Sequence, residues 1–191
     1  EQTIRAIREI RRFPLQLGLQ LLPGLWGSTI ESDQRSFEQA LAYRPDCLRI
    51  YPLVIFAETA LAQIYRQGKI SLYSLDTMLD LCAHFVRSAQ QAQIPIIKLG
   101  LQVNEPETII AGYYHSNFSQ LVYSRIWKNI FFSLRLPAKN ATLFVASNQV
   151  SNAIGFQRAN LDFLERKYHR KIAIKADSTL RYFQYRFAAH A

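Results

Sequence analysis

Few side chains in this sequence have the spacing that catalysis or metal binding requires. The two cysteines, Cys47 and Cys82, are 35 positions apart, and no CxxC or CxxxCxxC spacing occurs. Zinc sites and redox pairs need closely spaced thiols, so neither is predicted. Both cysteines are interpreted as small buried hydrophobic residues in a reducing compartment. No Ser/His/Asp triad and no paired carboxylates with an interpretable spacing are visible.

A tyrosine–histidine pair is the best candidate for proton transfer. Tyr114 and His115 lie in the segment AGYYHSNF, a predicted loop over residues 103–118, and Gln102 ends the strand before it. Side chains of these types could contact a substrate or exchange protons with it. A lone histidine in a loop more often has a structural role, and that alternative stays open.

Arg49 interrupts an almost continuously apolar segment, residues 47–55, which is predicted to be one strand covered on both faces. Arg49 and Tyr51 alternate along it and therefore share one face. A buried guanidinium needs a partner, because an unpaired buried charge is very costly. That partner is either an anionic ligand or a carboxylate, with Asp46 and Glu38 as the candidates.

The positive charge lies entirely in the last part of the chain. The net charge is +9, from 23 Lys and Arg against 14 Asp and Glu, yet residues 1–115 balance to zero. An excess confined to residues 116–191 favours binding to a polyanion such as RNA, although a solvated basic helix face is the simpler alternative. The candidate RNA contacts lie within fourteen positions: Arg158, Arg166, Lys167, Arg170 and Lys171.

Hydrophobic periodicity predicts how these residues are positioned. Strands alternate with helices in the first part, which is typical of a parallel sheet built from βαβ units. Three strands are too few for a closed barrel, so part of a larger α/β unit is expected. The predicted strands are 15–22, 47–55 and 94–101, and the predicted helices are 3–12, 33–43, 59–66 and one capped by Ser74.

The second part has a different pattern. A helix over 118–134 and a break at 137–140 precede a strand at 142–146, a helix at 150–168 interrupted near Gly155, and a strand at 171–175. The predicted domains are therefore 1–115 and 116–191. The order helix, glycine turn, helix, strand is similar to the core of a KH domain, whose GXXG loop holds a nucleic-acid backbone. Arg158 replaces the second glycine, so this part is predicted to be a degenerate KH-like α+β extension.

No apolar run is long enough to cross a membrane, and no signal peptide is recognised. The longest run, Ile50 to Ala57, has eight residues. The predicted location is the cytoplasm.

Five segments in order resemble one family. They are GLQLLPGLWGSTIE at 18–31, LRIYPLVIFAETALAQIY at 48–65, the helix at 75–92, IPIIKLGLQ at 94–102 and AGYYHSNFSQLVYSRIW at 111–127. Together they resemble the later part of radical SAM proteins, in the group of the Elongator catalytic subunit, which is often labelled coproporphyrinogen-oxidase-like. The resemblance implies the C-terminal part of a partial (β/α)₆ barrel that uses S-adenosylmethionine and a [4Fe–4S] cluster. The residues it places near the cofactor are Gln20, Pro23, Gly24, Gly27, Arg49 and Tyr51.

The resemblance also implies a function. The chain is expected to be the C-terminal portion of a radical SAM iron–sulfur enzyme that modifies RNA, with tRNA as the expected substrate. Because the CxxxCxxC cluster loop is missing, the chain is not expected to bind the cluster or make a radical without an N-terminal barrel half, from the same or another chain. The alternative is a non-catalytic RNA-binding module left after loss of that half.

Overall fold

A computed structural model describes residues 1–136 and 141–189. The chain divides into two compact units, Glu1–Phe118 and Ser119–Ala191. The chain break predicted at 137–140 lies outside the described residues. In the part of the chain that is described, no helix is both long and apolar enough to cross a membrane.

The first unit contains a parallel sheet, as predicted. Its strand order is β1-β2-β4, and both pairings are parallel. Side-chain oxygens of Thr29, Thr59 and Ser74 accept backbone N–H groups at the first turns of the helices that follow them. The elements are α1 Gln2–Ile10, β1 Gly18–Leu21, α2 Ile30–Ala42, β2 Cys47–Ile50, β3 Val54–Phe56, α3 Ala60–Arg66, α4 Leu75–Gln91, β4 Ile96–Leu99 and β5 Ile109–Gly112.

The single strand predicted over 47–55 is wrong. It is divided into β2 and β3, with Pro52, which has no N–H to donate to a sheet, between them. β3 pairs antiparallel with β5, which lies in the segment predicted to be a loop. The pairing brings the backbones close at Gly112, where a Cβ atom would lie 2.3 Å from the Leu53 carbonyl oxygen. Only glycine fits at that position, which also has a φ of +106°.

The core of the first unit lies between α2, α4 and the sheet. The rings of Phe37 and Phe85 stack with centroids 4.1 Å apart, and Met78 is fully buried. The apolar side chains that repeat at helical spacing along α4 are buried, except that of Leu75, which is 50% exposed. Leu75 is the first residue of the helix, so no further helical turn lies beneath it.

The second unit is built on a mixed sheet. The strand order is β7-β6-β8, in which β7 is parallel and β8 antiparallel to the central β6. Strand β8 was not predicted. Including α5, which begins one residue before the unit, the elements are α5 Phe118–Ser133, β6 Ala141–Ala146, α6 Val150–Ile154, α7 Ala159–Tyr168, β7 Ala173–Asp177 and β8 Tyr185–Ala189.

The predicted interruption near Gly155 is confirmed. Gly155 separates α6 from α7 with a φ of +85°, and a Cβ atom there would lie 2.8 Å from the Asn160 side chain. Asn160 is buried and donates to the carbonyl and hydroxyl oxygens of Ser124 at 2.8 and 3.1 Å. The turn is therefore held by a side chain of α7 that is bonded to α5.

Candidate functional site

The parallel sheet has one face open to solvent, and a polar row crosses it. The strand register pairs Gln20 with Arg49 and Arg49 with Lys98, and all three side chains are exposed. Leu48 and Ile50 point to the opposite face and are fully buried. The prediction that β2 is covered on both faces is therefore wrong, because only one face is packed.

Arg49 does not have the carboxylate partner that was considered. Asp46 instead accepts a hydrogen bond from the Leu17 amide at 2.7 Å and lies 3.5 Å from the Arg11 guanidinium. Within the described ranges Arg49 makes no ion pair with Asp46 or Glu38. The predicted cost of burial does not arise, because the guanidinium is in solvent.

A second cation lies beside Arg49 in the row. Lys98 was missed by sequence reasoning, and its ammonium contacts the Gln102 side chain at 3.3 Å. Cations on neighbouring strands repel one another, so this row is suited to an anionic group. Tyr51 lies just past the end of β2, where its amide donates to the Leu21 carbonyl at 2.9 Å, and its side chain is half-buried.

The turn after β1 is fixed from beneath by a buried carboxylate. Asp33 accepts a hydrogen bond from the Gly24 amide at 2.8 Å and from the Tyr73 hydroxyl at 3.2 Å. The Tyr113 hydroxyl donates in turn to the Tyr73 carbonyl at 2.9 Å. Gly24 has a φ of +81°, and a Cβ atom there would lie 2.9 Å from the end of Met78. The glycine is thus required by packing within the protein.

Both phenols of this network hold their protons firmly. Burial raises the pKa of Tyr113 to about 12, with a smaller contribution from Asp33. Burial also raises the pKa of Tyr73 well above its usual range, and the neighbouring Asp33 charge adds to the effect. The network therefore acts as a fixed support near neutral pH. Sequence reasoning missed Asp33, Tyr73 and Tyr113, because they lie in three segments with no shared local pattern.

A cleft of about 270 Å³ lies beside this turn. It brings together two of the predicted cofactor residues, Gln20 and Pro23. Gly24 lies buried next to it, and Gly27 is exposed, with open space where a Cβ would stand. Arg49 and Tyr51 do not line it. The complete lining is Gln20, Leu21, Leu22, Pro23, Leu25, Ser28, Asp33, Ser36 and Phe85.

His115 lies just before α5 and bonds to the backbone there. Its Nδ1 accepts a hydrogen bond from the Asn117 amide, and its carbonyl accepts one from Phe118, both at 3.0 Å. Tyr114 is half-buried. The tyrosine that joins a buried network is its neighbour Tyr113, which lies outside the predicted pair.

The two cysteines have separate environments. Cys82 is buried against Met78, with sulfur atoms 3.8 Å apart, and burial raises the pKa of its thiol well above the usual range. Cys47 is only partly buried in β2. Among the described residues no group of three or more His, Cys, Asp and Glu side chains could hold a metal ion. The described residues therefore do not fit an iron–sulfur cluster.

The predicted RNA-contacting residues are not equivalent. The guanidinium of Arg158 lies 3.5 Å from Asp162 and 3.7 Å from Glu165, and the Lys171 ammonium lies 3.3 Å from Glu165. Hydrogen bonds from the Ile172 amide and Lys171 lower the pKa of Glu165 despite an opposing effect of desolvation. Arg158 and Lys171 are therefore ion-paired at the surface, and both contact Glu165.

Lys167 has a structural partner that the sequence did not reveal. Its ammonium donates to carbonyl oxygens at the end of α5, and the Tyr168 hydroxyl donates to one of them. A cation at a helix C-terminus satisfies the orphan carbonyls and interacts well with the helix dipole. The Lys167 acceptors are the carbonyl oxygens of Phe131 at 3.0 Å, Phe132 at 2.6 Å and Leu134 at 3.3 Å.

The remaining two, Arg166 and Arg170, lie together. They line an open cleft of about 470 Å³, together with Asp162, Glu165 and Lys171.

A family model matches the segment that contains Arg49 and Lys98 of the polar row. Residues 45–128 match the family described as Radical_SAM C-terminal domain. This segment is similar to the radical SAM C-terminal domain family. It includes β2, β4 and β5, and with them Arg49, Lys98 and Tyr113.

Three relatives have names that concern tRNA or Elongator. Two are proteins named tRNA uridine(34) acetyltransferase, from Methanocaldococcus infernus and Methanocaldococcus jannaschii, each 26% identical over 67% and 68% of this chain. The third is Elongator complex protein 3 from Danio rerio, 24% identical over 65% of this chain. The chain spans about a quarter of the length of each, 24%. The predicted resemblance to Elongator-like radical SAM proteins is confirmed.

Proposed function

We propose that this chain is the C-terminal portion of a radical SAM enzyme that modifies RNA, with tRNA as its substrate. The observation that carries the proposal is the radical SAM C-terminal domain over residues 45–128, together with relatives named for a tRNA uridine. The whole enzyme would act in the cytoplasm.

The first unit supplies the end of the reaction site in this proposal. Ligands of parallel α/β folds bind beyond the carboxyl ends of the strands, which is where Pro23, Gly24 and Tyr51 lie. In full-length members S-adenosylmethionine and a [4Fe–4S] cluster supply the radical. Arg49 and Gln20 present a guanidinium and an amide on the open face, which are suited to a carboxylate and to polar groups of S-adenosylmethionine. Gln102, Tyr114 and His115 remain candidate substrate contacts.

The second unit binds the RNA in this proposal. Its excess of positive charge supplies sequence-independent attraction to phosphates, and its first residues belong to the segment that matches the radical SAM C-terminal domain family. The KH-like interpretation of its helix–turn–helix segment remains part of the proposal.

Titration of the chain against fluorescein-labelled tRNA tests the RNA part, with anisotropy measured at several salt concentrations. We expect binding whose affinity falls steeply as salt rises, because each neutralised phosphate releases counterions. Replacing Arg5, Arg8 and Arg12 by Ala should have little effect, because acidic residues balance the charge of that half. The RNA assignment would be overturned if the anisotropy did not change on titration, or if the Arg5, Arg8 and Arg12 variant lost most of its tRNA affinity.

A non-catalytic RNA-binding module is the second candidate. It is favoured by the separation of Cys47 and Cys82, which lie in β2 and in the buried face of α4. The two candidates separate on one observation, which is whether the gene encodes a CxxxCxxC loop upstream of Glu1. A loop there supports the enzyme, and its absence from the genome supports the module.

A further inference from the structure

Some basic side chains of the second unit form ion pairs with carboxylates, and others do not. Residues 116–191 contain only three carboxylates, against twelve lysines and arginines. Each of the three contacts a basic side chain, in the pairs Arg158–Asp162, Arg158–Glu165, Lys171–Glu165 and Arg186–Asp177. The segment after Gly155 therefore has fewer cations available to bind a phosphate than the count of Lys and Arg in the sequence suggests.

Two cations without a carboxylate partner share one cleft. Arg166 and Arg170 both line the 470 Å³ cleft, and neither makes an ion pair within the described ranges. The guanidinium of Arg170 lies 6.0 Å from the centroid of the Tyr168 ring, and Tyr168 is itself bonded to the end of α5. Like charges that line the same cleft repel one another, and an anion bound in the cleft relieves that repulsion.

We propose that Arg166 and Arg170 together clamp one phosphodiester group of an RNA strand, an inference that rests on the proposed function. A guanidinium offers parallel N–H donors that match two phosphate oxygens, so a pair of them forms a specific phosphate site. Neither has to give up a carboxylate to bind, whereas Arg158 and Lys171 do. Asp162 and Glu165 line the same cleft, and their negative charge disfavours a phosphate next to them.

The charge balance of the whole unit makes RNA the ligand rather than a free phosphate ion. The excess of nine positive charges extends over residues 116–191, so a polyanion satisfies more of it than one small anion does. The clamp then fixes the position of a strand that the remaining cations attract over a longer range.

Two double variants with the same change in charge test the clamp. Arg166→Ala with Arg170→Ala removes the unpaired cations, and Arg158→Ala with Lys171→Ala removes the paired ones. Both lower the net charge by two, so a general field effect is equal in the two proteins. We expect the first variant to lose about tenfold or more in tRNA affinity, and the second to lose much less. For a single-stranded contact, losing the one clamped phosphate should also flatten the slope of log K against log salt by about 0.7.

Two further variants separate the clamp from a loss of folding. Arg166→Lys with Arg170→Lys keeps the charge but removes the parallel N–H donors of the guanidinium groups. Most of the salt dependence should therefore remain while the tRNA affinity falls. Asp162→Asn removes a repulsive charge from the cleft and should strengthen binding. Thermal melts of all four proteins must match the parent chain, and inorganic phosphate added as a competitor should displace tRNA only weakly.

The outcomes separate the clamp from the wider proposal. Equal losses in the two double variants, or a larger loss from Arg158→Ala with Lys171→Ala, would overturn the clamp while leaving RNA binding in place. If phosphate displaces tRNA only as far as its ionic strength explains, the clamp is supported. If phosphate displaces tRNA saturably at low concentration, the site binds a free anion instead. Absence of tRNA binding by the parent chain would overturn the proposed function as well.

Discussion

The carboxylate of Asp33 joins two distant segments, the turn at Gly24 and the loop at Tyr73. It is buried, and it accepts both of their hydrogen bonds through one oxygen. Asp33→Ala leaves a backbone amide and a phenol without their partner. We expect it to lower the free energy of unfolding by about 2–3 kcal/mol, since hydrogen bonds to charged groups contribute more than neutral ones. Urea denaturation followed by circular dichroism measures the change.

Tyr73→Phe is the matched control, because it removes one of the two hydrogen bonds and keeps the ring. Its cost should be about 1 kcal/mol. If Asp33→Ala costs no more than Tyr73→Phe, the bond to the Gly24 amide does not stabilise the turn.

Tyr113 gives the first unit an alkaline limit. Burial raises its pKa to about 12, above the value of about 10 in an unfolded chain. A phenol whose pKa is raised on folding stabilises the native state fully below the unfolded pKa and loses that contribution as pH rises through the folded one. Thermal melts should therefore show a falling midpoint between about pH 10 and 12. Tyr113→Phe should make this fall shallower but not abolish it, because burial also raises the pKa of Tyr73. An unchanged pH profile would contradict the assignment.

At the scale of elements, Lys167 tests whether a basic residue of α7 serves folding or RNA. Its ammonium contacts three carbonyl oxygens at the end of α5. Lys167→Met keeps the aliphatic stem but removes the cap, and we expect a loss of about 1 kcal/mol in stability with little change in tRNA affinity. Lys171→Met is the control with the same loss of charge at a site exposed to solvent. A large loss of tRNA affinity without a loss of stability would show that Lys167 contacts RNA and does not act as a helix cap.

The helices were predictable because their signals are local. The stripe of α4 repeats at helical spacing, and Ser74 supplies a cap next to it. The pair of β3 and β5 was not predictable, because each strand is short and its partner lies more than fifty positions away. The site residues also differ in whether local sequence predicts them. Gln20 and Pro23 share a cleft, as their proximity in the sequence suggests. Lys98 is a neighbour of Arg49 only because of the strand register.

At the scale of the whole molecule, thiol count limits what the chain binds alone. Iron–sulfur clusters are held by several cysteine thiolates, and this sequence has Cys47 and Cys82 only. Reconstitution with iron and sulfide under anaerobic conditions should therefore give no stable cluster. The measurement is iron and sulfide content after desalting, with visible absorbance as the spectroscopic check. A stable stoichiometric cluster that survives replacement of both cysteines by Ser would show adventitious binding, and one that is lost on that replacement would contradict the prediction.

Exposed apolar side chains beside the sheet edge predict that the chain self-associates. β1 is an edge strand of the parallel sheet, and the segments on either side of it expose Phe13, Leu15 and Trp26 by 61%, 60% and 56%. An open strand edge together with exposed apolar side chains favours association. Sedimentation velocity should show oligomers that increase with concentration. Replacing Phe13, Leu15 and Trp26 by Ser should shift the distribution toward monomer, whereas Ser substitutions at the exposed Tyr182 and Phe132 of the second unit should not. A monodisperse monomer at all concentrations would remove the edge of β1 as an association surface.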